Sequence, residues 1–268
     1  MKVDVGCEFD YETQATTPAV VLVRPFSTDE QRVVEERWVS EPGIPFHDYV
    51  DLYGNICRRI NVGPGRLRFR YDATVEIAGE LDGYAPHAVE LPVEALPDEA
   101  LLYTLPSRYC LSDVLSDRAW ELFGATPPGW ARVQAICDFV HGHVTFGYGS
   151  STPDTTAVDV YEKAAGVCRD FAHLAVTFAR ALNIPARYVF GYLPDIDVPP
   201  AELPMDFCAW FEAYLGGAWW TFDPRNNRRR RGRVVIARGR DALDVAMVTT
   251  YGPATLHEMT VRADKRIE

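Results

Sequence analysis

The sequence lacks the features that mark membrane-spanning, secreted and disulfide-rich proteins. No apolar run approaches the roughly 18 residues that a membrane-spanning helix needs, and the N-terminal segment MKVDVGCEFDYETQ has no apolar core of the kind found in signal peptides. The six cysteines are widely spaced and form no CxxC pair, which argues against a disulfide framework. We therefore expect a cytoplasmic protein with no membrane segment, whose cysteines are mostly free thiols.

An excess of basic residues is also missing. The formal net charge is −11, and the one basic cluster is the arginine run at 228–231, which we interpret as a solvated loop. This charge argues against nucleic acid as the main partner. No sequence feature indicates a cofactor, and the oligomeric state stays open.

The apolar pattern changes near residue 100, which predicts two parts within the 268 residues. Residues 1–104 contain short runs rich in valine, aromatic or alternating residues, separated by turn formers, and predict an N-terminal β-sandwich. Four of these runs are AVVLVRPF, QRVVEERWV, RLRFRYDATVEIAG and HAVELPV. Residues 105–268 predict helices packed on one mostly antiparallel sheet, which includes the last runs, LDVAMVTTYG and HEMTVRA. The fold class is therefore α+β.

One cysteine, Cys168, opens an apolar helix pattern. The unpaired backbone N–H groups and the positive dipole end of a helix N-terminus favour thiolate over thiol. The same groups can stabilise negative charge that develops on a substrate oxygen. Cys168 is therefore the candidate nucleophile.

Two segments, GVCRDFAHLAVTFARALNIPARYVFGY and AWFEAYLGGAWWTFDPR, resemble the bacterial transglutaminase-like superfamily of cysteine proteases and amidases. The resemblance implies a papain-like core, formed by residues 105–268, and a Cys-His-Asp triad that carries out acyl transfer. On this resemblance Cys168 matches the nucleophile and Asp223 matches the aspartate. Cys208 stands where the family has its histidine.

A register argument independently relates positions 208 and 223. If Gly216 and Gly217 form a two-residue hairpin loop, Leu215 faces Ala218, Tyr214 faces Trp219, and Trp210 faces Asp223. Cys208 then lies diagonal to Asp223 on one face of the sheet, at a spacing of roughly 7–8 Å.

Loss of the histidine removes the usual proton carrier. Imidazole has a pKa of about 6.5, whereas a thiol, at about 8.5, is a poorer base near neutral pH. His173 lies five positions after Cys168, about 140° further around a helix, and we expect it to point away from the thiol. His141 and His143 flank a glycine at a helix end, where capping or exposure explains them.

Four interpretations remain open. The chain is an acyl-transfer or amide-hydrolysis enzyme that forms a thioester on Cys168 with another base; or it is a degenerate relative that binds a peptide-like ligand without turnover. Alternatively, Cys168 and Cys208 form a redox pair or, with Asp223, part of a metal site, for which a fourth ligand is not evident. In the last interpretation, position 208 has been altered in an otherwise ordinary member of the family.

Other residues are candidates for contact with the substrate. Tyr148 and Ser150 lie in the loop before the Cys168 helix, where they would line a pocket or donate to an oxyanion; Arg169 follows the nucleophile, and Trp210 would wall the cleft. The expected substrate is a peptide-like or small-molecule amide or thioester, with water or an amine as the acyl acceptor.

Overall fold

The computed structural model describes residues 1–199 and 204–266. The strands found there are β1 (Lys2–Thr13), β2 (Thr17–Val21), β3 (Gln31–Glu41), β4 (Phe46–Val50), β5 (Ile56–Val62), β6 (Gly65–Ile77), β7 (Thr145–Phe146), β8 (Ala165–Gly166), β9 (Ala186–Tyr192), β10 (Cys208–Leu215), β11 (Ala218–Phe222), β12 (Val234–Gly239), β13 (Val248–Thr250) and β14 (Thr255–Lys265). The α-helices are α1 (Asp98–Leu101), α2 (Ser116–Phe123), α3 (Trp130–His143), α4 (Ala157–Lys163) and α5 (Cys168–Ala181). Among the described residues, no helix has the length and apolar character needed to cross a membrane.

Two four-stranded antiparallel sheets form the N-terminal β-sandwich. Their strand orders are β14-β1-β6-β3 and β13-β2-β5-β4, and their inner faces share one apolar core. The alternation of side chains along β6 illustrates how one face of the sheet reaches this core. Leu67, Phe69 and Tyr71 are buried and alternate with exposed arginines, as expected of a sheet with one solvated face. The predicted α+β class and N-terminal sandwich are confirmed.

Two details of the strand prediction are wrong. β13 and β14 do not join the sheet of the 105–268 part but return to the N-terminal sheets, where β14 pairs along the whole of β1. The segment HAVELPV is not a strand. Its backbone carbonyls instead accept hydrogen bonds from other parts of the chain: Ala88 accepts from the N–H of Trp130, and Val89 accepts from the N–H of Gly216.

The third sheet, in the order β11-β10-β9-β12, carries the helices. Helix α5 packs on β9 and β10 and also contacts α2, α3 and α4. The apolar stripe that the sequence predicts is buried throughout, and it comprises Phe171, Leu174, Ala175, Phe178 and Leu182. The helix ends as predicted, because Asn183 adopts a left-handed φ of 62° and Pro185 follows it. This packing fixes the N-terminus of α5 against the beginning of β10.

The predicted hairpin between β10 and β11 is present. Gly216 and Gly217 both have positive φ, which a tight two-residue hairpin loop requires. The pairs Leu215–Ala218 and Tyr214–Trp219 form in the predicted register. The ladder ends at the pair Phe211–Phe222, so Trp210 and Asp223 stand at the next position along.

Candidate active site

Cys168 is the first residue of α5, as the sequence predicts. The residue before it, Val167, is extended, and its backbone N–H donates to Oδ2 of Asp170 at 2.8 Å. Asp170 thus reaches back from the first helical turn and fixes the entry of the chain into the helix. A Cβ on Gly166 would lie 2.7 Å from the Cβ of Asp170, so only glycine allows this close approach. The half-buried thiol is therefore held at a defined place beside the helix N-terminus.

Cys208 is the first residue of β10 and pairs with Gly191 on β9. A Cβ at Gly191 would lie 2.7 Å from the indole ring of Trp210, so the glycine makes room for that buried side chain. Cys168, Cys208 and Trp210 pack in one small apolar cluster with Val189 and Leu193. The helix N-terminus and the strand thus bring the two thiols together.

The two thiols differ in acidity. The pKa of Cys168 is lowered because the Cys208 thiol hydrogen-bonds to it; burial opposes this effect, and the Arg225 guanidinium and a backbone hydrogen bond with Ala209 add to it. The same hydrogen bond, together with burial, raises the pKa of Cys208 well above its ordinary value. Of the two thiols, Cys168 is therefore the one on which a thiolate is favoured, with Cys208 as the hydrogen-bond donor that stabilises it.

Asp223 directly follows β11, and its carboxylate is hydrogen-bonded to Asn226 and Arg233 and not to Cys208. Its Oδ1 accepts from the N–H of Asn226 at 3.0 Å, and its Oδ2 accepts from the Asn226 amide and from Arg233, both at 2.8 Å. Burial acts to raise the pKa of Asp223, but the Arg233 charge and these hydrogen bonds hold it below the ordinary value. An arginine thus neutralises the carboxylate whose partner in a Cys-His-Asp triad would be an imidazole.

A cleft of about 1010 Å³ opens over Cys168 and Cys208. Its described walls come from Phe146 and Tyr148, from the segment 193–199, from the residues 204–207 before β10, from Arg225, Asn226, Arg228 and Arg230, and from 263–265 of β14. Arg225 lies over the ring of Phe146, 4.1 Å from its centroid. The cleft is therefore mixed in polarity, with both charged and apolar walls next to the nucleophile.

The structure brings some of the predicted substrate residues to this cleft and not others. Tyr148 lines it and is exposed. Trp210 is fully buried behind Cys208 and lines a different cavity, of about 660 Å³. The Ser150 hydroxyl donates to the carbonyl of Gly147 at 2.6 Å. Arg169 donates to the Thr152 carbonyl at 2.8 Å and pairs with Asp170. Neither Ser150 nor Arg169 is among the described residues that line the cleft.

The histidine nearest along the chain to Cys168 faces elsewhere. His173 is fully buried, stacks on Tyr109 and accepts a hydrogen bond from the N–H of Ala242 at Nε2. Burial lowers its pKa well below the ordinary value. His141 and His143 bond to backbone carbonyls, at Arg225 and Tyr161 respectively. His173 therefore has the packed and hydrogen-bonded role expected of it.

Three functional candidates escaped the sequence reasoning. Asp206 precedes Cys208 by two residues and lines the cleft, as does Arg225, which follows Asp223 by two. The alternation along a strand would have placed position 206 on the face of Cys208. No comparable signal connects Arg233 with Asp223.

A metal site and a disulfide are two of the arrangements that the sequence leaves open for Cys168 and Cys208. Among the described residues, no group of three or more His, Cys, Asp or Glu side chains is placed to hold a metal ion. All six cysteines are free thiols in the structure.

Comparison with known proteins gives three related findings. Residues 118–224 match the profile of the "Transglutaminase-like superfamily". A solved structure from Cytophaga hutchinsonii, described as a putative cysteine protease, is 33% identical, covers 100% of this chain and 92% of its own, and superposes with a TM-score of 0.89. An uncharacterized protein of Mycobacterium leprae is 25% identical over 92% of this chain and 90% of its own length, and one of Mycobacterium tuberculosis is 28% identical over 84% and 78%.

Proposed function

The chain belongs to the transglutaminase-like superfamily, and from that premise we propose that it is a cysteine-dependent acyltransferase or hydrolase that forms a thioester on Cys168. The observation that carries this proposal is the position of the Cys168 thiol, at the N-terminus of α5 and in the lining of a large cleft. The lowered pKa of Cys168 favours the thiolate and so reduces the help that a base must give to activate this nucleophile.

The substrate class follows from what replaces the histidine. The Cys208 thiol, whose pKa is raised, stays protonated and donates to Cys168 rather than accepting its proton. Cleavage of an unactivated amide requires that the leaving amine receive a proton. The leaving group of a thioester is instead a thiolate, which is stable without protonation. We therefore infer a preference for thioesters or other activated acyl donors over ordinary peptide amides, with water or an amine as acceptor. A reducing, cytoplasmic location belongs to this proposal, because it keeps both thiols free.

The test uses p-nitrophenyl acetate as acyl donor and intact-protein mass spectrometry as readout. We expect one acetyl group per chain, mapped to Cys168 after proteolysis, and none on the Cys168→Ala variant. Alkylation with limiting iodoacetamide gives a control for thiol reactivity on the same samples. Absence of an acetyl adduct, combined with slow alkylation of Cys168 at low pH, would support the alternative of a binding protein without turnover.

A second candidate function rests on the contact between the two thiols. Because Cys208 hydrogen-bonds to Cys168, oxidised glutathione could take two electrons and two protons from the pair and leave a Cys168–Cys208 disulfide. A mass lower by two hydrogens, with both cysteines in one linked peptide after mild oxidation, would favour this redox function. Persistence of two free thiols would exclude it.

A further inference from the structure

The carboxyl group of Asp206 and the Cys168 thiol contact the same residue. Sγ of Cys168 lies 3.8 Å from the carbonyl oxygen of Phe207. Oδ1 of Asp206 accepts a hydrogen bond from the N–H of Phe207 at 2.7 Å. Asp206 and Cys168 both line the large cleft, so the carboxyl group stands beside the place where a thioester would form.

The surroundings of Asp206 suit a group that exchanges protons. Burial raises its pKa above the ordinary carboxyl value of 3.8, against the opposing effects of the Phe207 hydrogen bond and of Arg225. Asp206 shares the cleft with Arg225, the Cys168 thiol and the Tyr148 hydroxyl, and its charge raises the pKa of both the thiol and the hydroxyl. The other titratable groups that line the cleft are Asp195, Asp197, Arg228, Arg230, Asp264 and Lys265. A carboxylate with a raised pKa is a stronger base than an exposed one.

Other acidic groups of the cleft are differently placed. Asp195 pairs with Arg230 at 3.2 Å, and Asp197 pairs with Arg231 at 3.0 Å. Asp223 is buried under Arg233 and Asn226 and is not among the described residues that line the cleft. Asp264 also lines the cleft, from β14. Asp206 is distinguished by its place two residues before Cys208 and by the contact with Phe207 that it shares with Cys168.

Building on the proposed function, we propose that Asp206 is the general base that releases the acyl group from Cys168. It accepts the proton of the attacking water, or of an attacking amine, while the oxygen or nitrogen bonds to the acyl carbon. The carbon–sulfur bond then breaks, its electron pair returns to Cys168 as thiolate, and Asp206 gives its proton to solvent. Asp206 thereby performs in the second half of the reaction the role that a histidine would otherwise perform.

The test compares Asp206→Asn with the unaltered protein, using p-nitrophenyl acetate. Asparagine retains an oxygen that can accept from the N–H of Phe207, so the local fold is preserved. We expect Cys168 to acquire its acetyl group normally, and its release to slow by about 10²-fold or more, so that acetylated protein accumulates. In the unaltered protein, the release rate should fall at acid pH as Asp206 becomes protonated, and this fall should be absent from D206N.

Two controls separate this role from a structural one. D48N removes a carboxylate that already has an arginine partner, Arg58 at 2.7 Å, and that is not among the described residues lining the cleft; it should leave the release rate unchanged. Iodoacetamide should alkylate Cys168 in D206N at least as fast as in the unaltered protein, because the negative charge of Asp206 opposes formation of the thiolate.

The outcomes distinguish the two proposals. Release from D206N at the unaltered rate, or slow alkylation of its Cys168, would overturn the role of Asp206 while leaving the thioester in place. Failure of both the unaltered protein and D206N to form any acetyl adduct would overturn the proposed function itself, and the role of Asp206 with it.

Discussion

Replacing Cys208 with alanine removes the hydrogen bond that contributes most to the acidity of Cys168. The side chain at position 208 is small and buried at the first position of β10, so alanine fits there without displacing Trp210. The variant thus isolates one interaction between two side chains, and it leaves the helix N-terminus and Arg225 in place.

The size of the effect follows from the value of a hydrogen bond to a charged group. Such bonds contribute about 1.5–3 kcal/mol, and a thiol, as a weak donor, belongs at the lower end. Loss of about 1.4 kcal/mol changes an equilibrium about tenfold. At a pH below the pKa of Cys168, we therefore expect about one tenth of the original thiolate and an alkylation rate about tenfold lower.

The assay is the rate of iodoacetamide labelling of Cys168 between pH 5 and 9, followed by peptide mapping. The Cys208→Ser variant is the matched control, because its hydroxyl retains a donor of similar size, and its rate should fall less than that of C208A. At high pH, where Cys168 is ionised in every variant, the rates should converge. Equal rates for C208A and the unaltered protein at pH 6 would refute the assignment of Cys208 as the donor that stabilises the thiolate.

Two further predictions concern the buried groups around the site. Arg233→Met leaves the Asp223 carboxylate buried without its cationic partner, and urea unfolding should show a loss of about 3–5 kcal/mol, part of which R233M/D223N recovers; an unchanged midpoint for R233M would contradict the pairing. The pKa of His173 is lower in the folded chain than its ordinary 6.5, so the unfolded chain binds more protons below pH 6.5, and stability present above that pH is lost as the pH falls. His173→Gln should weaken this acid-side loss without slowing the labelling of Cys168, whereas slower labelling would identify His173 as a base.

Local patterns were sufficient for the elements nearest the site. The apolar stripe of α5 and the stop at Asn183 lie within one stretch of chain, so helical periodicity and a left-handed position determine them directly. The hairpin register follows from Gly216 and Gly217 in the same way, since the loop length fixes which residues face each other. The resemblance to the transglutaminase-like superfamily rested on these same segments.

Long-range pairing was not encoded in such patterns. The run HEMTVRA alternates as any strand does. Its sequence does not reveal that it pairs with β1, along the edge of β1 opposite to β6. The segment HAVELPV has strand-like composition, but its carbonyls are taken by Trp130 and Gly216, and hydrogen bonds to distant residues outweigh local propensity.

The sequence by itself determined that Cys168 begins a helix and that a cysteine occupies the position of the expected histidine, because both are properties of contiguous chain. Only the tertiary structure decided what surrounds these residues. It placed Arg233 against Asp223, Arg225 and Asp206 beside the cleft, and Cys208 within hydrogen-bonding reach of Cys168. The physical reason is that charge pairing and burial depend on distance in space. Residues that are far apart in the chain, or that have no shared periodicity, reveal such relations only after the sheets and helices have packed.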